Sequence, residues 1–330
     1  MPPWYLKAAA QDILSLLPRS YRWNAILQGR ITESPALSDE LLRRKLVHLA
    51  RHVDAYMRLG EPARFPFTAL ELGTGRYPIV PVGLFLCGAE KVVTVDIHPL
   101  LNAERTRATL RAYLAKAERC ELEAILPRLD ATRLAQLDSA LSLHSISASE
   151  ILLSLGIVAR LGDIRSTGLE SDSIDLIVSN NTLEHVPANV LSGAFAEFRR
   201  LLRAGGIMSH GIDLSDHFSH FDPTISPYNF LRFSTRLWRL FNSGLAYQNR
   251  LRYSDYRALH ESSGFEVVDS LARAPRAAEL IKLLVSVTLA DEFVRYSADD
   301  LAITTAWFAS RPLPSTQRRL GLSAGLREGT

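Results

Sequence analysis

The chain has 330 residues, of which 47% are hydrophobic, and a formal net charge of +3. That is ample apolar material for one large α/β domain with additions, and too mild a charge to mark a nucleic-acid partner. The two cysteines, Cys87 and Cys120, lie far apart without a CxxC spacing, which argues against a disulfide framework or a structural zinc site.

No apolar run approaches the ~20 residues of a membrane span. The stretch Met1 to Lys7 lacks the basic-then-apolar pattern of a signal peptide, so a cytoplasmic protein is expected. Trp4 to Leu17 is apolar enough for peripheral membrane contact, although packing on the main domain is the commoner outcome for such a segment. Residues 1–65 read as a helical extension or lid. Ser38-Asp39-Glu40 opens one helix, with a hydroxyl to cap it and two acids at the positive end of its dipole. Leu42, Leu46, Leu49, Val53, Tyr56 and Met57 mark its packed face, and Gly60-Glu61-Pro62 stops it. His48 and His52 stand four apart, a spacing able to hold a metal. No acidic third ligand is evident, so they are assigned to a solvent-facing edge.

From residue 66 the pattern changes. Phe67 to Leu72 reads as a buried strand, followed at once by Gly73-Thr74-Gly75, an apolar helix over 79–87 and a strand over 91–96. Strand, glycine turn, helix and strand form a βαβ unit. Residues 100–157 read as a helical insertion, 157–161 as a third strand leading into the turn Gly162-Asp163-Ile164, and 173–180 as a fourth. An amphipathic helix over 191–202 is expected to stop at Arg203-Ala204-Gly205-Gly206, before a fifth strand over 207–213. A helix over 253–263 and strands over 264–268 and 301–308 complete a core spanning 66–310, and 311–330 reads as a loose tail. The expected fold is α/β: a Rossmann-like, seven-stranded, mostly parallel sheet with helices on both faces, plus the N-terminal extension and the insertion.

In an open parallel sheet, ligands bind beyond the carboxyl ends of the strands where strand order reverses. Gly73 and Gly75, with Thr74 between them, let the backbone turn tightly and approach a ligand, which suits a dinucleotide or S-adenosylmethionine (SAM). Three acids favour SAM. Glu71 closes the first strand, where it would repel a pyrophosphate but could support a methionyl ammonium. Asp96 ends the second strand and can accept from both ribose hydroxyls. Asp163 follows the third strand and can accept from the adenine amino group, with Ile97 and Ile164 sandwiching the ring. The set Glu71-Leu72-Gly73-Thr74-Gly75, Asp96, Gly162-Asp163, Asp175 to Ser179 and Leu183-Glu184-His185-Val186 resembles the class I SAM-dependent methyltransferases over about residues 65–310. The resemblance implies a seven-stranded sheet whose last strand is antiparallel, and SAM at the matching positions. Tyr77 stands where that family's usual third turn glycine would be. Variants of this kind resemble a bacterial branch associated with glycan and secondary-metabolite biosynthesis.

The methyl group is expected to face Asn180 at the end of the fourth strand. Asn180-Asn181-Thr182-Leu183 lacks the Pro-Pro-aromatic run of enzymes that methylate base amino groups, which points to a small-molecule or glycan acceptor and away from nucleic acid. A hydroxyl acceptor benefits from a base, and His185, His217 and Asp216 are the candidates. The segment Asp213 to Asp222 could hold that base, or a divalent metal on a diol, or simply be a hydrogen-bonded loop; no metal is assigned. Phe218, Phe221, Tyr228, Phe230 and Phe233 are candidates to line the acceptor pocket. The favoured reading is O-methylation. A non-catalytic SAM-fold module, with Tyr77 or Arg76 blocking the pocket, and a protein or RNA methyltransferase are the rivals. Oligomeric state is not legible.

Overall fold

The structure, a computed structural model, describes Tyr5 and residues 37–314 apart from 145, 146, 221, 243–246 and 287. The expected membrane-surface segment, Phe221 and most of the tail lie outside the described residues. Among those described, no helix is long and apolar enough to cross a membrane.

Helix α1 (Asp39–Leu59) starts where expected, with the Ser38 hydroxyl accepting from the Leu41 N–H. It is followed by β1 (Phe67–Leu72), α2 (Ile79–Leu86) and β2 (Ala89–Asp96). The helices α3 (Ala103–Glu118), α4 (Glu121–Ile125), α5 (Leu134–Leu141) and α6 (Ala148–Leu153) occupy the stretch before β3 (Ile157–Leu161). Then come β4 (Ile174–Asn180), α7 (Ala188–Leu201) and β5 (Leu202–Asp213). After α8 (Thr235–Trp238), α9 (Tyr253–Ser262), β6 (Phe265–Arg273), α10 (Ala277–Ser286) and α11 (Ala298–Ala302), β7 (Thr305–Pro312) closes the sheet.

The seven strands run in the order β3-β2-β1-β4-β5-β7-β6. Pairings from β3 through β5 are parallel, and β7 is antiparallel to both β5 and β6. Strand order therefore reverses between β1 and β4, which are direct neighbours. Alternation along the strands builds two cores. Phe67, Ala69, Leu176, Val178, Ile207 and Trp307 face α1 and α2. Leu70, Leu72, Ile177, Met208, Ile212 and Phe308 face α7 and α9. The same period of two puts Glu71, Asn180 and Ser209 on the α1 side.

Several boundaries differ from the sequence reading, the sixth strand, for example, running on to Arg273. The helix ends at Leu201, close to the expected stop, but Arg203-Ala204-Gly205-Gly206 already belongs to β5, which begins straight after α7 with a register shift opposite Ile174 and Leu176. Gly205 has φ +80°, and a Cβ there would stand 1.7 Å from the Glu61 carbonyl oxygen, so this glycine serves a bulge and not a helix cap. The last strand lies at Thr305–Pro312, with Leu301 in α11 before it, and Arg311 and Pro312 are part of the sheet and not of a loose tail. On α1, Met57 is 41% exposed, off the packed face. Cys87 is buried in the first core, as a small apolar residue would be.

Candidate active site

The turn after β1 meets the end of β2. Gly73 has φ +84° and a Cβ on it would lie 2.4 Å from the Thr182 hydroxyl, so an alanine would be strained in backbone and crowded in space. Gly75 has φ +71° and nothing within 4 Å of where its Cβ would be; that open space is the kind of cradle a ligand fills. Its N–H donates to Asp96 Oδ2 at 3.1 Å, and the His98 N–H donates to Asp96 Oδ1 at 2.9 Å. Thr74, Gly75 and Asp96, with His98, Leu101 and Asn102, line a cavity of about 370 Å³. Neither Arg76 nor Tyr77 lines it; Tyr77 packs against the first core. Larger clefts lie at the opposite edge of the sheet, around Glu61, Arg199 and Arg311, away from these groups.

Glu71 is fully buried and accepts from the Thr94 hydroxyl at 2.8 Å, while the Thr74 hydroxyl bonds that of Thr94. Burial pushes the Glu71 carboxyl up to about 7, against the pull of Thr94 and of the Lys45 ammonium. The adenine-side expectations fare differently. Ile97 is 70% exposed, free to cover a ring. Ile164 is buried in the second core. Both oxygens of Asp163 are engaged by the Arg165 side chain, which holds that carboxyl below its ordinary range. Asp163 and Arg165 thus form a half-exposed ion pair in the loop after β3.

Beyond β4 and β5 the structure gathers histidines. His185 donates from Nδ1 to the Tyr247 carbonyl at 2.7 Å, which leaves a lone pair on Nε2. Its ring lies edge-on to His217 with centroids 4.9 Å apart, and His217 stacks on His220 at 5.2 Å. Burial drives His217 down to about 4, opposed by Asp213, whose Oδ2 is 3.6 Å from His217 Nε2. Glu184 is fully buried, and burial holds its carboxyl well above the ordinary range. Ligand atoms of Glu184, His185 and His217 all lie within 4.8 Å of one another, a set of donors that a divalent ion would accept, although the sequence reading assigned no metal. Glu184 Oε2 and His217 Nε2 are buried without a hydrogen-bond partner. Asp216 is not available for proton transfer: it is fully buried, with Oδ1 accepting from the Phe218 N–H and Oδ2 from Asn229 Nδ2. The aromatics expected to line an acceptor pocket, Phe218, Tyr228 and Phe230, are buried in a third core with Trp238 and Phe293, and Phe233 packs against it.

The largest departure concerns α1. His52 is completely buried, with Nδ1 2.6 Å from Ser209 Oγ and Nε2 3.0 Å from Asn180 Oδ1. His48 is half-buried, with Nδ1 2.9 Å from the same Asn180 oxygen. The solvent-facing assignment of these two residues is therefore wrong. Lys45, one turn earlier, feels both Glu71 and Glu184, and burial lowers its ammonium from the usual range. The missed signal was polar: Lys45, His48 and His52 recur at helical spacing beside the apolar stripe of α1.

A family described as "Methyltransferase domain" matches residues 132–209. No curated protein matches the chain. Among solved structures, geranyl diphosphate C-methyltransferase from Streptomyces coelicolor is similar at 11% identity and a TM-score of 0.43, over 85% of this chain and 86% of that one. Phosphoethanolamine N-methyltransferase 2 from Haemonchus contortus is similar at 13% identity and a TM-score of 0.41, over 80% of this chain and 53% of its own.

Proposed function

We propose that this chain, which has the class I SAM-dependent methyltransferase fold, transfers the SAM methyl group to a hydroxyl of a small-molecule or glycan-type acceptor. When bound, SAM supplies a methyl group on a positively charged sulfur. The open cradle at Gly75 and the Asp96 carboxylate suit the ribose, Glu71 suits the methionyl ammonium, and Ile97 offers a cover for adenine.

The observation that carries the hydroxyl assignment is the group of uncharged imidazoles at the carboxyl edge of β4 and β5. A hydroxyl must lose a proton as it is methylated, and a neutral imidazole lone pair is the usual recipient, worth ~10²–10⁴-fold in rate. Burial lowers His217, and His185, whose Nδ1 donates to the Tyr247 carbonyl, keeps a lone pair on Nε2. A second reading rests on the Glu184, His185 and His217 set: a divalent ion held there would bind a vicinal diol and lower its pKa. His185, oriented through its Nδ1–H to a carbonyl, has the outer partner that metal-bound histidines commonly have.

Calorimetric titration with S-adenosylhomocysteine tests the reading. Binding at one site per chain is expected; a protein that binds neither this product nor SAM is not a methyltransferase. Methyl transfer to a panel of phenols, catechols and sugars, with and without added magnesium, then separates the base reading from the diol-metal reading.

A further inference from the structure

Helix α1 contributes a chain of polar groups that the reading above leaves unused. Trp307 Nε1 can only donate, and it does so to Ser209 Oγ at 2.9 Å. On the other side Ser209 Oγ lies 2.6 Å from His52 Nδ1, and because Asn180 Oδ1 at His52 Nε2 can only accept, the neutral ring accepts the Ser209 hydroxyl hydrogen on Nδ1. His52 then carries its own proton on Nε2 and donates to Asn180 Oδ1 at 3.0 Å. The same amide oxygen, 2.9 Å from His48 Nδ1, can only accept from it. His48 is thereby fixed with its proton on Nδ1 and a lone pair on Nε2, which has no protein partner among the described residues.

The ring that carries this lone pair sits against Asn180. Asn180 ends β4 beside the point where strand order reverses, and its Nδ2 is buried without a partner. The His48 ring lies against Gly211 of β5, where a Cβ would stand 3.4 Å from Nδ1. Lys45 links the same helix face to Glu71 and Glu184, which flank the site. The charged groups that His48 faces are Lys45, Arg44 and Arg51; with burial they keep its ring uncharged.

Resting on the methyltransferase reading, we propose that His48 Nε2 is the proton acceptor for the substrate hydroxyl, with Asn180, His52 and Ser209 as positioning residues. The hydroxyl proton goes to Nε2, the hydroxyl oxygen forms the new bond to the methyl carbon, and the electron pair of the broken carbon–sulfur bond stays on sulfur. An amide oxygen fixes tautomer and ring orientation, as the carboxylate does in a serine–histidine–aspartate triad, but without its charge. Glu184, His185 and His217 are then left to bind the acceptor.

The test is long-range ¹H–¹⁵N NMR of the histidines in the full chain. His48 should be neutral at pH 7 with its proton on Nδ1, and His52 neutral with its proton on Nε2. In Asn180→Ala, His48 should revert to the Nε2-protonated form that a free imidazole prefers. Sinefungin, whose ammonium stands near the place of the methyl sulfonium, should shift the His48 resonances at least threefold more than S-adenosylhomocysteine does. Nε2-protonated His48 in the wild type overturns the proposal, as does a sinefungin-specific shift at His185 or His217 with none at His48. If neither ligand binds, the methyltransferase reading fails and the catalytic assignment with it, while the tautomer pattern still reports independently on the relay.

Discussion

The two edges of the site are built on different length scales. At the cofactor edge, Asp96 is bonded to the backbone of His98, two residues away, and of Gly75, twenty-one away across one βαβ unit. At the acceptor edge, His48 and Asn180 are 132 residues apart, His52 and Ser209 are 157 apart, and Ser209 and Trp307 are 98 apart. A local hydrogen-bond system survives as a motif, because a few neighbouring residues fix its geometry. A system assembled from α1, β4, β5 and β7 leaves only isolated polar residues in the sequence. The difference also concerns charge. The cofactor edge holds a buried acid kept near neutral, and the acceptor edge holds buried bases kept uncharged.

That contrast predicts opposite responses to pH, and these should be the largest effects. Glu71 has a folded value of about 7 against an ordinary 4.5, so its neutral form is favoured by folding; its contribution is full below about 4.5 and lost as pH rises through 7. Glu71→Gln should remove a pH dependence on the order of 3 kcal/mol over that window. His52, lowered to about 3 from 6.5 by burial, contributes stability above 6.5 that is lost as pH falls towards 3. His52→Gln should flatten the acid limb instead. Urea midpoints of both variants and the wild type from pH 4.5 to 8 check the two signs; slopes of the same sign would break the comparison.

Asp96→Ala should act on binding. If the proposed ribose contact is right, losing a carboxylate that also orders Gly75 should weaken S-adenosylhomocysteine by ~10–100-fold, given ~1.5–3 kcal/mol for hydrogen bonds to a charged group. Calorimetry reads this directly, and an unchanged affinity would remove Asp96 from the cofactor site. Ser209→Ala should act on folding: it leaves Trp307 Nε1 and His52 Nδ1 buried without partners, at about 1–3 kcal/mol for each unsatisfied group, unless water replaces the hydroxyl. Its urea midpoint should fall, and a midpoint equal to the wild type would mean that the relay is not formed. The smallest effect is expected at Ile97→Ser. At 70% exposure its unfolding free energy should move by no more than about 0.5 kcal/mol, while ligand affinity falls a few-fold if it covers adenine.

Sequence patterning placed β1, β4 and the start of α1 where the structure has them, because each is marked by its own residues: an apolar run before a glycine turn, a β-branched strand, a capping serine. It misplaced the start of β5 because a Gly-Gly pair that normally ends a helix here fills a bulge against the Glu61 carbonyl, a contact made by a distant segment. Type and position alone do not reveal that Asp163 pairs with Arg165, that Ile164 joins the second core or that Asn229 bonds Asp216. Patterning set His48 and His52 facing solvent for the same reason, since a histidine on the margin of an apolar stripe looks alike whether water or a buried amide lies opposite.

By itself, then, the sequence determined the glycine turn, the acid at the end of β2 and the alternation that sorts each strand into two faces. Those properties follow from backbone sterics and a period of two, and they need no partner. Only the tertiary structure decided which face α1 would cover, and hence that Lys45, His48 and His52 meet Glu71, Asn180 and Ser209. Burying the leucine stripe of α1 against the first core carries these polar residues inward with it, and once there they must find partners or lose their charge.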